Sequence, residues 1–196
     1  MESLPISRAI LSVTDKSGLV ELATFLNEHG VELVSTGGTQ KVLEAAGLPV
    51  TAVSAVTGFP EILNGRVKTL HPKIHAGILA CKDDPLHMQT LVERGIRPFD
   101  LVCVNLYDFA GAVDRHPTLE EAVEQIDIGG PCMLRAAAKN FHNVLVLPSP
   151  KSYEPAMEEL RSHGMCAGLH FRQAMAAQTF ECTSRYDALI SSYLRP

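Results

Sequence analysis

The first half of the chain alternates between two hydrophobic patterns. "RAILSV" is a short apolar run that breaks at the polar loop "TDKSG". "LVELATFLNEHG" then carries apolar residues at 19, 20, 22, 23, 25 and 26, a helical stripe closed by Gly30. "VELVS" predicts the next strand, "TGG" a loop, "TQKVLEAAG" a second glycine-closed helix, and "LPVTAV" a third strand. Strand–helix–strand–helix–strand within about 45 residues predicts parallel strands joined by right-handed crossovers.

The middle is less periodic. "TGFPEILNGRVKTLHPKIHAGIL" mixes prolines, glycines and charges with Phe59, Ile62, Leu63, Val67, Leu70 and Ile74. That pattern predicts a long ordered loop ending in a short helix, and loops of this kind are usually functional. "DDPLHMQTLVERGI" predicts a helix with Pro85 near its first position and Gly95 beyond its end. "FDLVCVNLY" is apolar enough for a central strand. "TLEEAVEQI" opens with a threonine cap and acids in its first turn. "NVLVLP" predicts one more strand. From Ser149 onward the pattern is helical. The chain therefore reads as one domain over 1–196, with an α/β core over about 9–148 and a helical extension over about 149–196.

Composition narrows this picture. The 196 residues are 46% hydrophobic and 20% charged, with a formal net charge of −5. That balance supports a well-buried core and argues against nucleic acid or an anionic membrane as partner, since those demand a basic surface. A local cluster of cations for a small anion is compatible with it. The apolar runs are shorter than a membrane span, and "MESLPISRAI" lacks the layout of a secretory signal. The cysteines at 81, 103, 132, 166 and 182 form no CxxC pair. They predict reduced thiols, most of them small core residues, in a cytoplasmic protein without a zinc site.

Candidate chemistry concentrates where strands end. "SVTDKSG" and "STGGT" each follow a strand and precede a helix, where backbone N–H groups favour an anion. Ser12, Thr14, Ser35 and Thr36 add hydroxyls, Gly37 and Gly38 allow close approach, and Lys16 adds charge. Neither loop has the P-loop or GxGxxG spacing. Taken singly, each serves as a turn and helix cap as readily as a phosphate cradle; two after adjacent strands favour a site. "GRVKTLHP" sets Arg66 and Lys68 beside Val67, Thr69 and His71. His71 and His75 stand four apart, but without the HExxH glutamate or a third ligand they read as a helix start and a hydrogen-bonding side chain. In "VNLYDF", Asn105 and Tyr107 fall where the central strand ends. An amide there can read a base edge, and a tyrosine there can equally be a buried, bonded hydroxyl. "QIDIGGPCMLRAAAKN" places Asp127 at an apolar strand end before a helix, with Gly129, Gly130 and Pro131 opening that helix. Arg135 and Lys139 lie four apart on one face.

Together, "SVTDKSGLVE", "LVSTGGT", "VTGFPEILNGRVKTLHPKIHAGILA", "VNLY" and "EQIDIGGPCMLRAAAKN" closely resemble the inosine monophosphate cyclohydrolase domains of bifunctional PurH purine-biosynthesis proteins, from about Ala9 to Leu194. The resemblance implies a methylglyoxal-synthase-like, Rossmann-like fold: a mostly parallel sheet flanked by helices with a C-terminal helical extension. It implies ring closure and dehydration of 5-formamidoimidazole-4-carboxamide ribotide (FAICAR) to inosine monophosphate (IMP), without a cofactor or metal. A regulatory, phosphate-sensing domain of the same fold is the alternative. The implied phosphate contacts are Ser12, Thr14, Lys16, Ser35, Thr36, Gly37 and Gly38, helped by Arg66, Val67, Lys68 and Thr69. The implied base contacts are Asn105, Leu106, Asp127 and Ile128, with Gly129 and Gly130 beside them. The implied acid–base groups are Lys68, Tyr107, Asp127 and Lys139.

The sequence departs from the family pattern in three places. Asp108 replaces a proline after the tyrosine, Phe141 precedes His142 after "AAAKN", and Cys182 stands in "FECT". The transformylase domain that follows in the family is not in this sequence, so the formyl group is expected from a separate protein, with no folate bound here. A homodimer is the implied assembly. The reach of Lys139 is open: eight residues beyond Pro131, its Cα lies about 12 Å along the helix axis.

Overall fold

The computed structural model describes residues 2–195. A short strand β1 (Ser3–Pro5) precedes β2 (Arg8–Ser12), helix α1 (Leu19–Glu28), β3 (Glu32–Ser35), α2 (Gly37–Ala45) and β4 (Thr51–Ala52). Three short helices follow with a long connection between the first two: α3 (Val53–Thr57), α4 (Pro72–Leu79) and α5 (Pro85–Glu93). Then come β5 (Leu101–Val104), α6 (Phe109–Val113), α7 (Leu119–Glu124), α8 (Gly129–Lys139) and β6 (Leu145–Leu147). The chain ends with α9 (Tyr153–Ser162), β7 (Cys166–Gly168) and the long α10 (Leu169–Tyr193).

Five strands form one parallel sheet in the order β4-β3-β2-β5-β6. Its register is fixed by apolar pairs such as Ile10 with Val34 and with Val102, and Val102 with Val146. β2 and β5 are buried almost throughout because helices cover both faces, so they read as continuous apolar runs rather than alternations. One buried cluster joins these strands to α1, α4, α8 and α9 and to Met175 and Ala176 of α10. From β2 the chain builds outward through β3 and β4, then returns to add β5 and β6 on the other side. This reversal between β2 and β5 is the place where an open α/β sheet offers a ligand crevice.

Local chemistry accounts for several of the helix starts. Asp84 accepts the N–H groups of Leu86 and His87 ahead of Pro85. Thr118 and Glu121 form a reciprocal capping box on α7. His71 caps α4 by accepting the Lys73 N–H at 3.1 Å, the helix-start role expected of it.

Several expectations need correction. "LPVTAV" is a strand only at Thr51–Ala52, an edge position, and turns directly into α3. "TGG" is not all loop, because α2 begins at Gly37. The region after Ser149 is not wholly helical: Cys166–Gly168 pairs antiparallel with Ser3–Pro5 in a separate two-stranded sheet. Only Cys103 is buried; Cys81 is exposed and the other three cysteines are half-buried. Asp127 lies in the turn between α7 and α8, not at a strand end.

Candidate active site

The C-terminal ends of β2, β3 and β5 open into a cleft of about 810 Å³. The loop after β2 is organised from below. Asn105, at the end of β5, accepts the N–H groups of Thr14 (2.6 Å) and Asp15 (3.0 Å) through its Oδ1, and its amide donates to the Asp15 carbonyl at 2.8 Å. Thr39, in the first turn of α2, accepts the Val13 N–H and donates to the Val13 carbonyl, both at 2.9 Å. The Lys16 ammonium curls back to the carbonyls of Val13 (2.7 Å) and Thr14 (3.1 Å), and burial lowers its pKa. The loop is thus preorganised with a cation folded into it.

Beside it, α2 starts without a side-chain cap. Gly37 has φ of +56°, a left-handed conformation that side chains disfavour. A free helix N-terminus carries unpaired N–H groups and positive potential, the requirements of an anion site. The Lys68 ammonium completes the wall: a Cβ at Gly37 would stand 3.6 Å from its Nζ. Lys68 also pairs with Glu61 at 3.4 Å, and Arg66 pairs with Glu124 across the mouth of the cleft.

The opposite wall is the start of α8. Burial raises the pKa of the Asp127 carboxyl, opposed by the N–H groups of Gly130 and Tyr107. Its Oδ1 accepts the Gly130 N–H at 2.9 Å. A Cβ on Gly130 would come within 2.4 Å of Asp127 Oδ2, and one on Gly129 within 2.8 Å of Thr69 Oγ1. The two glycines therefore let α8, the Asp127 carboxylate and the Arg66–Thr69 segment meet closely. Tyr107, 44% exposed, faces the same space.

Of the residues singled out from sequence, Ser12, Thr14, Lys16, Thr36, Gly37, Gly38, Arg66, Val67, Lys68, Thr69, Asn105, Tyr107, Asp127, Ile128, Gly129 and Gly130 line this cleft. Ser35, Leu106 and Lys139 do not. Ser35 is fully buried and donates to the Leu11 carbonyl at 2.7 Å, tying β3 to β2. Leu106 packs behind Gly130. Lys139 is exposed on the last turn of α8, one turn beyond Arg135, whose guanidinium lies 5.5 Å from the Phe180 ring centroid. Asp108 caps α6 by accepting the Gly111 N–H at 3.0 Å, so its charge is committed to a helix start. Sequence reasoning missed Thr39, whose signal was present as the last residue of "STGGT", and the apolar wall of Leu70, Ile126 and Met133. It also gave Asn105 a base-reading role; here its Oδ1 accepts two loop N–H groups and its Nδ2 donates to the Asp15 carbonyl, so the amide organises the loop. Asn105→Ala is accordingly expected to raise KM for a phosphorylated ligand by about tenfold, the worth of one or two buried hydrogen bonds, with a much smaller change in kcat; steady-state kinetics would check this.

A parallel sheet whose switch point carries two strand-end loops, an uncapped helix start and a half-buried carboxylate defines a Rossmann-like α/β domain with a cleft at its switch point. The sequence matches the model of the MGS-like domain over residues 18–132, more than half of the chain, and the chain belongs to that family. Residues 137–196 match the model of the AICARFT/IMPCHase bienzyme. Among relatives, the bifunctional purine biosynthesis protein PurH of Lacticaseibacillus paracasei is 56% identical over 97% of this chain and 37% of its own length. The PurH of Rhodospirillum rubrum is 48% identical over 100% of this chain and 37% of its own length. The chain thus spans little over a third of the length of these relatives. A solved structure, described as the crystal structure of ForH, superposes with a TM-score of 0.82 at 34% identity, covering 95% of this chain and 97% of that one. Among the described residues, no helix is long and apolar enough to cross a membrane.

Proposed function

We propose that this chain is an IMP cyclohydrolase that closes FAICAR to IMP and water, the last step of de novo purine biosynthesis. The observation that carries the reading is the meeting, in one cleft, of the Ser12–Lys16 loop, the α2 start, the Arg66–Thr69 segment and the Asp127–Gly130 turn. Similarity to PurH relatives over nearly the whole chain supports it.

In this reading the nucleotide phosphate lies against the Ser12–Lys16 loop, Thr36–Gly38 and Thr39, with Lys68 and Arg66 balancing its charge. Arg66 exchanges Glu124 for the phosphate as the ligand enters. The base packs on Val67, Leu70 and Met133. Both reacting groups sit on one imidazole ring, so the cleft must hold them in the attack conformation. The carboxamide nitrogen forms a bond to the formyl carbon and gives up a proton, for which Asp127 is the proposed base. The formyl oxygen gains charge as the carbinolamine forms. Of the four N–H groups from Asp127 to Gly130, that of Asp127 is bonded to Tyr186 and that of Gly130 to the Asp127 carboxylate. Those of Ile128 and Gly129 are the proposed oxyanion donors. The C–O bond then breaks, and the departing water carries the formyl oxygen with one proton from each of the two nitrogens. The Tyr107 hydroxyl and Lys68 are the proposed proton carriers for this step. Lys139, exposed and apart from the cleft, receives no direct role.

A homodimer in the cytoplasm, with no folate bound, completes the proposal. The test is ultraviolet monitoring of purified protein with FAICAR. Saturable conversion to IMP is expected without added metal or folate; a folded protein that leaves FAICAR unchanged would overturn the reading.

A further inference from the structure

The turn that carries Asp127 is held from outside the cleft by a residue nearly sixty positions away. Tyr186, on α10, is 8% exposed. Its hydroxyl accepts the Asp127 N–H at 2.7 Å and lies 3.4 Å from the Gln125 carbonyl, to which it donates. One hydroxyl therefore bonds both ends of the three-residue segment 125–127. The ring packs edge-on against Phe109, with centroids 6.4 Å apart at 75°. Phe109 in turn donates its N–H to the Tyr107 carbonyl at 2.9 Å. Tyr186 thus touches both segments that present acid–base groups to the cleft, without lining the cleft itself.

We propose that Tyr186 is a positioning residue for ring closure: its hydroxyl fixes the backbone of the Asp127 turn, and its ring fixes the segment carrying Tyr107. The need for such a tie follows from the turn's own bonding. Gln125 and Ile126 donate back into the end of α7, to Ala122 and Val123. Asp127, three residues past Glu124, is the first whose N–H does not return to α7, and among the described residues its partner is the Tyr186 hydroxyl on α10. The carboxylate is oriented at its tip by Gly130, but a backbone free to shift would carry both away from the substrate together. The matched families divide along the same line: Asp127 falls in the MGS-like region, 18–132, and Tyr186 in the AICARFT/IMPCHase region, 137–196. The C-terminal helix is thereby a working part of the site as well as a cover for the sheet. Burial also raises the Tyr186 pKa, which keeps the hydroxyl protonated and able to donate to Gln125.

The inference rests on the cyclohydrolase reading, and the experiment separates the two. Tyr186→Phe removes the hydroxyl and keeps the ring. With FAICAR it is expected to lower kcat by about tenfold, short of the roughly hundredfold that a 1 Å misplacement can cost, while KM and IMP affinity stay within about twofold. The melting temperature is expected to hold. Amide exchange at Asp127 is expected to speed up by about tenfold as its acceptor is lost. Tyr193→Phe, which removes a hydroxyl from the same helix beside the same Phe109 ring, serves as the control and is expected to behave like the unchanged protein. The proposal is overturned by unchanged kcat and exchange in Tyr186→Phe, by an equal loss in Tyr193→Phe, or by kcat, KM and melting temperature worsening together. If the unchanged protein does not convert FAICAR, the functional reading fails instead, and exchange at Asp127 still decides whether the tie exists.

Discussion

Asp127→Asn is expected to cut FAICAR turnover by about 10²–10⁴-fold, the usual worth of a positioned general base, while raising the melting temperature at neutral pH. Both effects come from one property. Burial lifts the folded carboxyl's pKa above its unfolded value, so the folded state favours the neutral form. The associated stability is present at pH below the unfolded pKa and is lost as pH rises through the folded one. At neutral pH the ionised carboxylate therefore weighs against folding, and asparagine removes that cost while keeping an acceptor for the Gly130 N–H. Catalysis needs the opposite, an ionised group able to take the carboxamide proton. The kcat of the unchanged protein should accordingly fall on acidification through a pKa above the ordinary aspartate range. Thermal melts and a pH–rate profile check both halves; a destabilised Asp127→Asn variant with turnover within about tenfold of the unchanged protein would rule out this assignment.

Lys68→Ala is expected to lower kcat/KM by about 10–100-fold, in line with the loss of a hydrogen bond to a charged group, and to weaken IMP binding. The ammonium sits beside Gly37 at the uncapped start of α2, where it adds a full positive charge to the free N–H groups. It is held loosely there by Glu61 at 3.4 Å, a half-exposed partner that a phosphate can displace. Lys139→Ala is the informative comparison, because Lys139 shares the charge but not the cleft. It should retain more turnover than Lys68→Ala. Kinetics on the two variants side by side would reverse the assignment if Lys139→Ala were the more damaged.

The parts of this account legible in the sequence are those set by local chemistry. The helical stripe of "LVELATFLNEHG", the start of α5 at Pro85 and the Thr118 cap are short-range features, and each lies within a residue or two of its expected place. The cleft was legible as a set of strand-end loops because parallel strands must deliver their following loops to one edge. What local patterns do not encode is which way a side chain turns and what meets it from far along the chain. Ser35 has the right identity for a phosphate loop, but it ends β3 facing the neighbouring strand and bonds Leu11. Asn105 has the right place to read a base, but the loop after β2 arrives on top of it and takes both ends of its amide. The pairing of Ser3–Pro5 with Cys166–Gly168 joins two three-residue strands across most of the chain, too short and too distant for any period to register. The Tyr186–Asp127 bond is invisible for the same reason, since nothing in "TSRYDALI" marks its tyrosine as different from any helical core residue.

The most direct test of the central claim is a crystal structure of this protein with IMP bound. The phosphate is expected between the Ser12–Lys16 loop and the start of α2, within hydrogen-bond reach of Lys68, and the base against the Asp127–Gly130 turn. IMP bound outside this cleft, or lying in it with the phosphate at Asp127 and the base at Gly37, would contradict the account.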